Sequence, residues 1–319
     1  MRPTTLGQKL LLIISGLFVA LALGEGFFRI AGFVASNTKR ADSEKNGSYK
    51  ILCVGDSSTY GLGASDPEKF SYPARLQQIL DERAHTGKFD VINLGIPGIN
   101  SSQVLNRMRS NIATYRPDLV IIMVGINDPW NLEESNILTF YDASGFETLV
   151  MDLDLLINRL RIYRFLKLSY LSREMKHADS PHELRFPGLT DETKGRGFQF
   201  SPLNDAKSSA LNAALRHNTL TMKLIAEENH ANVMYMKYHN VGWGRPEIVL
   251  NRFYPTLDVP IVDNESLFLK AAALGLNVRG EDGWHPNDLG YLLIAKNVFN
   301  SMVSSGVLEG APIAMFESK

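Results

Sequence analysis

From residue 49 onward the chain alternates short apolar runs with longer stretches in which apolar residues recur every three or four positions. The runs are Tyr49 to Val54, Val91 to Leu94, Leu119 to Val124 and Val233 to Tyr238, with a short fifth at Val259 to Val262. Between them lie Tyr72 to Ala84, Ser101 to Ala113 and Ala206 to Glu228, and Leu289 to Met302 follows the last. The runs are apolar at successive positions instead of alternate ones, as a strand covered on both faces requires. Strand and helix in turn predict an α/β fold: a three-layer α/β/α sandwich with a doubly wound, mostly parallel, flavodoxin-like sheet.

Between the third and fourth runs the alternation is interrupted by an insertion at about 131–204. It opens with Leu153 to Tyr170, where Leu, Ile and Tyr interleave with Arg and Lys, so one helix is expected. Ser172 to Asn204 follows, polar and rich in turn formers. A connection of that length without periodicity is expected to be either a functional lid or a disordered loop.

The N-terminus breaks the pattern altogether. Leu10 to Leu23 is an unbroken uncharged stretch without a polar face, and apolar and aromatic residues continue to Val34 around Glu25 and Arg29. The length approaches that of a membrane-spanning helix, and the two charges, four residues apart, can pair or snorkel near the interface. A cleaved signal peptide is the rival reading, because Ala20-Leu21-Ala22 resembles a small-x-small cleavage site, although it lies inside the apolar run. The organisation expected is an N-terminal membrane anchor over 1–34, a polar tether over 35–48 and a folded domain over 49–319. Arg2 and Lys9 on one side of the span and Arg29, Lys39 and Arg40 on the other barely separate the two orientations. A single-pass anchor with the domain on the extracytoplasmic side is the expectation.

Composition narrows the partners. A net charge of −1 and a pI near 6.7 leave no basic footprint for nucleic acid. The one cysteine, Cys53, sits within an apolar run, so neither an intrachain disulfide nor a thiolate metal cluster is available. Of the histidines, only His177 and His182 fall at a zinc-finger-like spacing, without the paired cysteines that belong with it. No metal or cofactor is expected.

In doubly wound sheets ligands bind outside the carboxyl ends of the strands, and the loops there are unusual. The first run ends in Gly55-Asp56-Ser57-Ser58-Thr59-Tyr60-Gly61-Leu62-Gly63, a hydroxyl residue on a glycine-flanked strand-to-helix turn. Neither dinucleotide nor phosphate-loop spacing is present there. The second ends in Asn93-Leu94-Gly95-Ile96-Pro97-Gly98, where Gly95 can bring a backbone N–H close to a reacting oxygen or can simply form a turn. After the third comes Gly125-Ile126-Asn127-Asp128, with an amide side chain that serves either as donor or as local cap. Far downstream, Asp282-Gly283-Trp284-His285-Pro286-Asn287 delivers a carboxylate and an imidazole from one loop, with Asn287 or Asp288 left to cap the closing helix. A serine hydroxyl becomes a nucleophile when a base takes its proton, and the base needs a carboxylate to hold its tautomer. Ser57, His285 and Asp282 supply that set.

Taken in order, these blocks resemble those of the SGNH/GDSL hydrolase superfamily. Gly55-Asp56-Ser57 with Thr59 and Gly61 is similar to its nucleophile block, Gly95 to its glycine block, Gly125-Ile126-Asn127-Asp128 to its G-x-N-D block and Asp282-x-x-His285-Pro286 to its D-x-x-H block. Ser58 departs from the leucine of the namesake motif. The resemblance implies a carboxylic ester hydrolase with Ser57, Asp282 and His285 as catalytic residues. It also implies an oxyanion hole formed by the Ser57 and Gly95 N–H groups and the Asn127 side chain. The substrate expected is an ester or acylated glycan, lipid or small molecule. Two alternatives stay open: an O-acyltransferase using the same site, and a non-catalytic membrane-tethered binding module. No G-x-S-x-G elbow occurs, which disfavours the α/β-hydrolase pattern.

Overall fold

The structure, a computed structural model of the chain, describes residues 5–37, 48–83, 88–142, 145–167, 169, 205–239 and 257–308. Most of the expected tether, the Ser172 to Asn204 stretch and the pair His177 and His182 lie outside the described residues.

The elements run α1 (Leu6–Asn37), β1 (Tyr49–Gly55), α2 (Ser57–Tyr60), α3 (Pro67–Phe70), α4 (Tyr72–Arg83), β2 (Phe89–Gly95), α5 (Ser101–Tyr115) and β3 (Leu119–Met123). A 3₁₀ turn at Ile137–Phe140 follows, then α6 (Phe146–Asn158), α7 (161–167), α8 (Asp205–Glu228), β4 (Asn232–Met236), β5 (Ile261–Val262), α9 (Asn264–Ala273) and α10 (Asp288–Ser304). The strands form one sheet in the order β2-β1-β3-β4-β5, and every pairing is parallel. The order reverses between β1 and β3, so the crevice at their carboxyl ends is the switch point where such sheets take ligands.

Successive side chains of a strand point to opposite faces, and here both faces are covered. Ile51 and Cys53 of β1, Ile121 and Met123 of β3 and Met234 and Met236 of β4 pack with Leu76, Phe268 and Ile294 from α4, α9 and α10. Leu52 and Val54, Val120 and Ile122, and Val233 and Tyr235 pack with Met108 and Ile225 from α5 and α8 on the other side. That two-sided burial is why the runs stay apolar at successive positions through the middle of β1, β3 and β4. A smaller cluster of Leu132, Ile137, Met151, Ala210 and Leu211 joins α6 to the front of α8.

The expected Leu153 to Tyr170 helix is broken into α6 and α7, and Asn158 explains the break. Its side chain is fully buried, donates to the Asp154 carbonyl at 2.7 Å and side chain at 2.9 Å, and accepts from the Leu132 N–H at 3.4 Å. The next two amides, of Arg159 and Leu160, reach back only three residues, to Leu156 and Ile157. This 3₁₀ tightening ends the helix.

Helix caps fix where the loops of interest begin and end. Asn100 and Gln103 form a capping box at the start of α5. Asn287 caps α10 by accepting from Gly290 N–H at 2.9 Å, which frees Asp288 to accept from the Ser65 amide and hydroxyl at 2.8 and 2.6 Å. The loop carrying His285 is thereby tied to the loop that follows Ser57.

Candidate active site

Register brings the three front loops together: Gly55 pairs with Gly95 on one side and with Met123 on the other, so the chain leaves β1, β2 and β3 at one level. Ser57 is the first residue of α2. Asp56 caps it by accepting from the Ser58 N–H at 2.9 Å, and this turns Ser57 out of the strand line at the rim. Gly63, at φ +93°, lets the following loop pass under the His285 loop; a Cβ there would stand 2.8 Å from the His285 Cβ and 2.7 Å from the Pro286 carbonyl oxygen.

His285 Nε2 lies 2.8 Å from Ser57 Oγ, and His285 Nδ1 lies 2.5 Å from Asp282 Oδ2. The other oxygen of Asp282 accepts from the Trp284 and His285 backbone amides, each at 2.9 Å. A carboxylate accepts only, so the ring proton sits on Nδ1, and Nε2 is left to accept from the Ser57 hydroxyl. Burial pushes the Asp282 carboxyl up. The hydrogen bond from His285, the charge on that ring and the two amides outweigh burial and hold it down at about 2. The side chain keeps 40% of its surface in contact with solvent, which moderates these forces.

Asn127 is buried, and its orientation follows from its neighbours. Its oxygen accepts from Trp130 Nε1 at 2.8 Å, a group that only donates, and its Nδ2 donates to the Ile99 carbonyl at 3.0 Å. One amide hydrogen is left over. The Ser57 N–H has no acceptor among the described residues. The Gly95 N–H does, because it donates to Asn93 Oδ1 at 2.9 Å. Gly95 itself lies flat on the end of α2, where a Cβ would fall within the Thr59–Tyr60 peptide. Three residues on, Gly98 has a carbonyl held by Asn131 Nδ2 at 2.7 Å, and its N–H has no acceptor among the described residues.

Several supporting residues were invisible in the sequence. Asn93 ties the ends of β2 and α2 together through the Gly95 amide and the Tyr60 carbonyl. The Tyr238 hydroxyl, just past β4, donates to Asp56 Oδ2 at 2.5 Å. Arg279 reaches from the His239 carbonyl at 3.3 Å to the Trp284 carbonyl at 3.4 Å, joining the end of β4 to the His285 loop. Their only signal was position: polar residues at the carboxyl ends of apolar runs, or close by the final block.

Behind the rim sit two buried carboxyls, Asp56 and Asp128. Burial pushes Asp56 up to about 6 against the hydrogen bonds from Tyr238 and Ser58 and the charge on His285. Burial likewise pushes Asp128 up to about 6; the Ser101 hydroxyl and amide oppose the rise, and the charge on Asp56 adds to it. A carboxyl raised in the fold contributes stability that is complete below its ordinary 3.8 and is lost as pH rises through about 6. Thermal melts of the full chain across that window are therefore expected to show wild type losing melting temperature relative to Asp128→Asn. Parallel curves from about pH 4 to about pH 7 would contradict the burial argument.

A model of the GDSL-like lipase/acylhydrolase family matches residues 53–233, more than half of the chain. The chain belongs to this family. By that membership it is an SGNH/GDSL-type esterase, and its substrates are esters. Over 91 residues it is 30% identical to an acetylxylan esterase of Xylanibacter ruminicola, a match covering 28% of this chain and only 19% of that protein. It is 24% identical to the uncharacterized protein YpmR of Bacillus subtilis over 260 residues, 81% of this chain and 82% of that one. A catalytic mutant of an acetylxylan esterase from Geobacillus stearothermophilus aligns with a TM-score of 0.48 and 15% identity, covering 81% of this chain and 96% of that one. A lipase/acylhydrolase from Enterococcus faecalis aligns at 0.45 and 16%, covering 79% and 94%.

Proposed function

We propose that this GDSL-like chain is a membrane-anchored serine esterase that cleaves an O-acyl group through an acyl-enzyme on Ser57. The observation that carries the reading is the unbroken relay from Ser57 Oγ through the His285 ring to Asp282, at 2.8 and 2.5 Å. In the proposed reaction Ser57 Oγ attacks the ester carbonyl carbon while His285 Nε2 takes its proton. The tetrahedral intermediate collapses, the C–O bond to the leaving alcohol breaks, and His285 returns the proton to that oxygen. Water then adds to the acyl-enzyme by the same steps and releases the acid.

In this proposal the oxyanion lies against the Ser57 N–H and the spare Asn127 amide hydrogen. The third donor comes from the loop after β2. Gly95 is the residue the sequence motif points to, but its amide is committed to Asn93 Oδ1. The uncommitted N–H on that loop is that of Gly98, so we assign the donation to Gly98 and a packing role to Gly95. Asn127→Ala is expected to lower turnover on the order of 10² to 10³ with little change in KM. An unchanged kcat would remove Asn127 from the site while leaving the relay standing.

The local likeness to an acetylxylan esterase supports a small acyl group on a carbohydrate hydroxyl as the natural substrate class. The apolar helix over Leu6–Phe27, whose apolar window is not buried against the domain, supports the anchor over 1–34. The tether over 35–48 and the catalytic domain over 49–319 complete the proposed organisation, with that domain on the extracytoplasmic side. The test is a fluorophosphonate probe on the full chain, with the adduct located by peptide mapping, beside turnover of p-nitrophenyl acetate and butyrate. Labelling at Ser57 with turnover is expected. Labelling with negligible turnover would move the reading to an acyltransferase awaiting an acceptor, and no labelling to a binding module.

A further inference from the structure

The helix α6 is apolar on both sides. One side, with Met151, Leu155 and Asn158, packs against the protein. The opposite side carries Leu149, Leu153, Leu156 and, just beyond the helix end, Leu160, at spacings of four, three and four that align them in one stripe. All four are exposed, by 45% to 63%. Phe165 and Leu166 of α7 are exposed as well. Clustered exposed side chains of this size mark an interaction surface.

The position of α1 names the partner. Its apolar stretch, Leu6–Phe27, is 22 residues long, about 33 Å at the helical rise and close to the roughly 30 Å of a bilayer's hydrocarbon core. Near the end of that stretch Glu25 accepts from the Ile162 N–H of α7 at 3.1 Å, and a Cβ on Gly24 would stand 3.1 Å from Ile162 Cδ1. The first turn of α7 is therefore held near the C-terminal end of the spanning stretch, at Gly24 and Glu25. Arg159 and Arg161, at the α6–α7 turn beside Ile162, put cations at that level, where phosphate headgroups lie.

We infer that α6 and α7 form a second membrane contact, an interfacial hairpin whose leucine stripe enters the bilayer surface beside the anchor. The inference rests on reading α1 as the anchor. It makes the domain lie against the membrane instead of hanging from it by a tether. The loop from Asn127 to α6 is then close to the lipid surface, because Glu133 in that loop pairs with Arg164 of α7 and accepts from Gln103 of α5.

The test uses the full chain in phosphatidylcholine vesicles containing phosphatidylglycerol. Cys53 is fully buried, so an environment-sensitive thiol dye attaches selectively at Leu153→Cys, at Leu160→Cys or, as a control on the layer opposite α8, at Lys69→Cys. The expected result is a blue shift, and loss of fluorescence with brominated acyl chains, at the two leucine positions and not at Lys69. An unquenched, red-shifted label at Leu153→Cys on a chain that floats with the vesicles would overturn the hairpin reading and leave the anchor intact. A blue shift indifferent to brominated lipid, with energy transfer between separately labelled copies, would overturn it in favour of a second copy of the chain. A chain that fails to float would remove the anchor together with the inference.

Discussion

Ser57→Ala is expected to lower turnover of p-nitrophenyl acetate by about four to six orders of magnitude, to abolish fluorophosphonate labelling and to leave the melting curve unchanged. The separation of activity from stability follows from where the hydroxyl sits. Ser57 is only partly buried, and its oxygen meets the ring of His285 at the rim. The turn that carries it is held by other groups: the Asp56 cap on Ser58, the Tyr238 hydroxyl on Asp56 and the packing of Gly95 against α2. Removing one rim oxygen breaks none of these. A loss of only about ten- to a hundredfold would mean that water is activated directly by His285. The acyl-enzyme would then have to be abandoned, although the oxyanion donors could stand. A loss of both folding and activity would place Ser57 in the structure of the turn and not in its chemistry.

The layered sheet was legible because burial on both faces leaves short runs of successive apolar residues, far shorter than the apolar helix α1. The runs at Tyr49, Val91, Leu119 and Val233 each became a strand, and the short Val259 to Val262 run became β5. Four of the helices that cover the sheet, α4, α5, α8 and α10, were legible to within a few residues, since each must bury an apolar stripe. What was not legible were elements held by side-chain hydrogen bonds. The one-turn helices α2 and α3 are capped by Asp56 and Asp66 and are too short to show a period. The helix α9 begins at the Asp263 cap on Ser266, and its apolar positions are shared between the core and solvent. The break at Asn158 depends on a partner, Leu132, that lies 26 residues away along the chain.

The candidate site divides along the same line. Ser57, Asp282 and His285 were legible because their chemistry constrains residue type, and the structure places their side chains in contact in the expected order. Which glycine amide of the second block the fold leaves uncommitted was not legible, since that is set by what each amide meets. That depends on Asn93, a polar residue in an apolar run whose partners come from two other elements. Asp56 and Asp128 stood inside recognisable blocks, yet their burial, and hence their raised proton affinity, is a property of the folded interior alone.

Asp282→Asn is expected to lower kcat by roughly 10³ to 10⁴ with KM nearly unchanged. In the proposed mechanism the carboxylate has two tasks, and an amide performs neither. It holds the proton on His285 Nδ1 so that Nε2 faces Ser57 as an acceptor, and it stabilises the imidazolium that forms when the serine proton arrives. The substituted amide would keep the backbone bonds to Trp284 and His285 through its oxygen and turn an N–H toward Nδ1. The ring would then favour the opposite tautomer, with a proton on Nε2 pointing at the hydroxyl it should deprotonate. Because Asp282 is partly open to solvent, water can reorient around the variant ring, and the loss is expected to fall short of that of Ser57→Ala. Wild-type Asp282 stays ionised down to about pH 2, so this carboxylate should add no limb to the activity profile above the ordinary carboxylate range. Its contribution to stability, present above that range, should fade as pH falls from the ordinary 3.8 through about 2. A variant that kept its rate would show that the charge on Asp282 is not needed to stabilise the imidazolium. The role of Asp282 would then be reduced to shaping the loop.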